Sequence, residues 1–105
     1  MGRGSPIVVA GHEDARFQGT IDDASGVAAT LGLAKALVDS GYAPEGPIVF
    51  GVHCAVEYGI RDSAFGWCIG SWSQVWHEHV AWGSRAALCF NIEGTALHAP
   101  LLAET

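Results

Sequence analysis

Four residues with metal-binding side chains sit where apolar segments end: His12 in GHED, Asp22 in GTIDDASGVA, Glu57 in AVEYGI and Glu93 in NIEG. Imidazole and carboxylate donors in one set suit zinc, and also manganese or cobalt. A cation-binding imidazole usually gives its other ring N–H to a carboxylate, which fixes the tautomer. Asp14, two residues past His12, is placed for that task. Asp22 stands just before a helix-like segment, where the dipole favours an anion, and its two oxygens suit it to bridge two cations. Taken singly, Asp22 and Asp23 read as helix caps and Glu57 and Glu93 as solvated loop acids. Position argues for more: His12, Glu57 and Glu93 each follow closely on an apolar run.

Those runs must do the positioning. Residues 7–11 are a short β-branched run ending at Gly11, predicted as a strand. Residues 48–54 and 86–92 are apolar nearly throughout, as expected of strands buried on both faces. Between the first two lies a predicted helix over about 25–40, with Val27, Leu31, Ala34, Leu37 and Val38 as its apolar stripe. Asp23 or Ser25 caps its start, and Gly41 stops it. Gly26 and Gly32 weaken it but allow close packing on a sheet. A second helix is expected over about 65–79, with Trp67, Ile69, Trp72, Val75 and Trp76 largely on one side. Strands separated by helix-length connections imply a parallel sheet with right-handed crossovers. Ligands bind beyond the carboxyl ends of such strands, where His12, Glu57 and Glu93 fall.

Composition narrows the partners. The chain has 105 residues, half of them hydrophobic, which suffices for one domain with a core. Its net charge of −6 with only five Lys and Arg argues against nucleic acid and against anionic membranes. No apolar run reaches the roughly 18 residues of a membrane span, and MGRGSPIVVAG is not a secretory signal. Cys54, Cys68 and Cys89 lack CxxC spacing and read as free thiols, Cys54 and Cys89 buried in strand-like runs. Their odd number leans toward a reducing compartment. His53, His77 and His79 read as strand or surface histidines, and the four tryptophans as core or as a face awaiting a partner.

With these motifs in order, GHED, GTIDDASGVA, AVEYGIRDS and NIEG, the chain resembles the di-zinc exopeptidase family of bacterial leucyl aminopeptidases and glutamate carboxypeptidases. The resemblance spans about residues 6–94 of the 1–105 domain. It implies a three-layer α/β sandwich with a mostly parallel sheet, incomplete at both ends here. It implies two zinc ions and hydrolysis of a terminal peptide bond by a metal-bridging hydroxide. His12 and Glu93 match terminal ligands of one metal, Asp22 the bridging ligand, Glu57 a terminal ligand of the other, and Asp14 the carboxylate behind His12. Asp22 and Asp23 match a pair joined by a cis peptide.

The pattern is broken in two places. Val56 occupies the general-base position, and valine takes no proton. A distal histidine ligand has no match in 95–105, since His98 follows Glu93 too closely. The expectation is a metal site that holds one zinc or none and hydrolyses peptides weakly or not at all. The alternative is a non-catalytic relative that serves binding or assembly. In either case self-association through uncovered apolar surface is expected. Amino- and carboxypeptidase activity both stay open.

Overall fold

The computed structural model describes residues 4–94. The tail over 95–105, with His98, lies outside the described residues. Three parallel strands form one sheet in the order β2-β1-β3: β1 Ile7–His12, β2 Ile48–His53 and β3 Leu88–Asn91. Helix α1, Ala24–Asp39, joins β1 to β2, and α2, Ile69–Glu78, followed by a short 3-10 turn at Gly83–Arg85, joins β2 to β3. This is the α/β arrangement expected from the alternation of apolar runs.

The sheet has a face for each helix. Ile7, Val9, Ile48 and Phe90 line a space with Leu33 and Leu37 of α1. Val8, His53 and Cys89 line one with Gln74 and Val75 of α2. His53 Nε2 and Gln74 Oε1 lie 2.6 Å apart, joining β2 to α2. The expectation of two-face burial holds for β1, whose residues 8–12 are all buried, but not for the other two strands. β2 is half-buried and β3 exposed throughout, because each is an edge strand. Cys54 and Cys89 are accordingly exposed free thiols, against the expectation of burial.

Helix α1 begins at Asp23, whose carboxylate accepts from Gly26 N at 3.0 Å. Past its C-cap Ser40, Gly41 turns the chain at φ +68°, where glycine carries no Cβ penalty. Its buried residues are Gly26 and Thr30; Leu37, half-buried, and Leu33, still 41% exposed, border the sheet. This corrects the predicted stripe: Leu31 and Val38 are exposed. The cause is Gly26. A Cβ there would overlap Ile92 O and the Asp23 carboxylate, so the helix presents its side-chain-free position to the sheet end. Gly32 has no such neighbour. Helix α2 starts four residues later than predicted. The preceding chain is spent on loop closure: Ile60 N donates to Phe65 O, Cys68 N to Val56 O and Ile69 N to Ala55 O.

Candidate metal centre

The carboxyl edge of the sheet gathers three of the expected ligands. One donor atom each from His12, Asp22 and Glu57 lie within 4.8 Å of one another, the only such group of three or more among the described residues. His12 ends β1, Asp22 precedes the cap of α1, and Glu57 follows β2, so the end of β1 and the connections after β1 and β2 converge. The Asp22–Asp23 peptide is cis, as the resemblance implies.

Asp14 organises two of the three. His12 Nδ1 donates to the Asp14 backbone carbonyl at 2.9 Å, and the Asp14 carboxylate lies 3.5 Å from the same nitrogen. The tautomer is therefore fixed through the Asp14 carbonyl, not through the carboxylate the sequence reading named. The carboxylate reaches across the chain instead: Oδ1 accepts from Val56 N at 3.0 Å and Oδ2 from Glu57 N at 2.8 Å. One aspartate thus pins both the His12 ring and the loop that presents Glu57. Burial alone would raise the Asp14 carboxyl; these backbone donors outweigh it and hold its pKa below the ordinary value.

With Nδ1 committed, a neutral His12 turns the lone pair of Nε2 to Asp22 Oδ1, 3.0 Å away. Two acceptors at that distance need a cation between or beside them. A proton is one solution. Burial disfavours the charged ring, but the Asp14 carbonyl and the carboxylates of Asp23, Asp22 and Asp14 prevail and raise the His12 pKa. A divalent cation is the other. Ligand atoms about 2.0–2.2 Å from a tetrahedral zinc stand roughly 3.3–3.5 Å apart; His12 Nε2 and Asp22 Oδ1 are 3.0 Å apart, and all three donors lie within 4.8 Å of one another. The donor set fits zinc.

Asp23 is the residue whose weight the sequence reading missed. Only 1% exposed, it accepts from three segments: His12 N at 3.0 Å, Gly26 N at 3.0 Å and Gly94 N at 3.3 Å. Its capping role was legible in DDASG. The other two bonds join the ends of β1 and the segment after β3, which only the tertiary structure brings near.

Glu93 does not join the group. Two residues past β3 and exposed, it accepts from Asn91 Nδ2 at 2.6 Å. Val56 contributes its N–H to Asp14 and supplies no carboxylate. Beside the group is an open cleft of about 310 Å³ lined by Arg16, Phe17, Gly19, Ile21, Asp22 and Glu57. A larger one, about 560 Å³, lies between β2 and α2; it contains His53, Cys54 and His77 but no converging ligand set. His77 and His79 are exposed, as expected. No helix among the described residues is long and apolar enough to cross a membrane.

The profile of peptidase family M28 matches residues 2–102, nearly the whole chain, and the chain belongs to that family of zinc-dependent metallopeptidases. No curated protein and no solved structure matches it.

Proposed function

We propose that this M28 chain binds one zinc ion through His12, Asp22 and Glu57, and acts on a terminal peptide bond with little or no turnover. The observation that carries the reading is the His12 Nε2–Asp22 Oδ1 approach of 3.0 Å, with Nδ1 already committed to Asp14. Glu93, turned to Asn91, is not among the donors in this reading. Zinc, when bound, supplies a Lewis acid that polarises a substrate carbonyl.

The chain's own residues do the rest. Asp14 orients His12 and holds the Glu57 loop through two backbone amides. The cleft bordered by Phe17, Ile21 and Gly19 offers apolar wall and backbone to a peptide end. What is missing is a proton acceptor: Val56 stands where one is required, and losing a general base costs about 10²–10⁴-fold. Val56 equally favours a second reading, a non-catalytic relative that keeps the cation site for binding or assembly.

Zinc titration by calorimetry, beside an aminoacyl-anilide and an acyl-amino-acid assay, separates these. The expected result is zinc uptake with negligible turnover by the parent, and turnover at least about a hundredfold higher for Val56→Glu. Brisk hydrolysis by the parent would refute the assignment of the base position. No turnover by a zinc-loaded Val56→Glu chain favours the binding reading.

A further inference from the structure

We propose that Arg16 holds the far side of Glu57 in place of a second metal ion, so that the centre takes one divalent cation. This inference rests on the one-zinc reading above and concerns what limits it to one. Arg16 Nε lies 2.9 Å from Glu57 Oε2, a charge-assisted hydrogen bond. The guanidinium also lies over the Trp67 ring, 4.5 Å from its centroid, which steadies the side chain by a cation–π contact. Glu57 is only 17% exposed, so its carboxylate has given up much of its water. Two separate contacts place the guanidinium, and only one of them is to the carboxylate.

The consequence follows from counting oxygens and charge. Glu57 has two carboxylate oxygens, and one is committed to Arg16. Glu57 also offers a carboxylate oxygen to the group with His12 and Asp22, so one small carboxylate serves both a guanidinium and a cation site. A second cation on the far side of Glu57 must displace this guanidinium. It must also remain next to that charge. Among the lining residues of the cleft, which include Asp22 and Glu57, Arg16 is the one cationic group.

The test is equilibrium dialysis of the full chain against zinc, and separately against manganese, with bound metal measured per chain by elemental analysis. Parent, Arg16→Gln and Arg16→Lys are compared. Arg16 is half-exposed, and far-UV circular dichroism checks that each variant keeps its fold. The expected result is one ion per parent chain, and a second ion in Arg16→Gln taken up at least about tenfold more tightly than any second ion in the parent. Arg16→Lys, which keeps the charge, should stay at one. Two ions bound tightly by the parent would overturn the inference while leaving the zinc centre intact. So would one ion in all three proteins with no change in second uptake. No ion in any of them would overturn both the inference and the one-zinc reading.

Discussion

Replacing Asp14 by asparagine should weaken both the fold and the cation site, by amounts the geometry sets. The carboxylate accepts from Val56 N at 3.0 Å and Glu57 N at 2.8 Å. Asparagine offers one acceptor oxygen, and its amide N–H2 must then face a backbone N–H. One charge-assisted bond is lost, worth about 1.5–3 kcal/mol, and the surviving bond becomes a neutral one. The stability loss should be about 2–4 kcal/mol, a large share of the 5–15 kcal/mol typical of a domain. The site loses more than the fold, because the loop bearing Glu57 is released and His12 loses a nearby anion. Outer partners of metal ligands are worth about 10–100-fold in affinity. Urea unfolding with chelator reads the first quantity, and zinc titration of folded protein the second. The pH profile adds a check. A depressed carboxyl pKa gives stability that is complete above about pH 4 and fades as pH falls through the folded-state value; Asp14→Asn should lack that acid limb. A loss below about 0.5 kcal/mol with unchanged zinc affinity would refute the view that Asp14 couples the two ligands.

Zinc affinity of the parent should fall on acidification beginning above pH 6.5, because the raised His12 pKa lets the proton compete earlier than an ordinary imidazole would; titrations from pH 8 to 5.5 check this. Gly26→Ala should destabilise the chain by about 1–3 kcal/mol, since the overlap with Ile92 O and Asp23 outweighs the roughly 1 kcal/mol gain in helix propensity; thermal or urea unfolding measures it. Concentration-dependent association above 11.0 kDa is expected in sedimentation velocity. Trp76 and Val80 are 72% and 80% exposed, and among the described residues β3 is an edge strand.

The sheet, its parallel sense and the positions of His12, Asp22 and Glu57 were legible because each depends on local pattern. An apolar run ends, and a polar turn follows. The rotation of α1 was not legible from its stripe, because apolar residues surround much of that helix. Only the near approach of Gly26 to the end of β3 decides which side faces inward. The exposure of β2 and β3 was hidden for a different reason: a run of apolar residues reads alike in a central and an edge strand. Asp23 showed its cap but not its long-range bonds, and Arg16 showed nothing. Its pairing with Glu57 and Trp67 joins loops that sequence spacing alone does not relate.

The strand order has a consequence for how the molecule comes together. β1 is made before both of its neighbours and ends up between them. The Asp14–Glu57 bond closes a span of 43 residues, and the Asp23–Gly94 bond one of 71. Closing the longer loop costs well under 1 kcal/mol more, since each doubling adds only about 0.6 kcal/mol. During synthesis, however, the order is imposed by emergence of the chain. His12, Asp22 and Glu57 are all available before β3 exists. On the one-zinc reading, an ion captured at that stage would stabilise the partly built sheet by mass action. Metal supply would then act on the yield of folded chains before it acts on any reaction they perform.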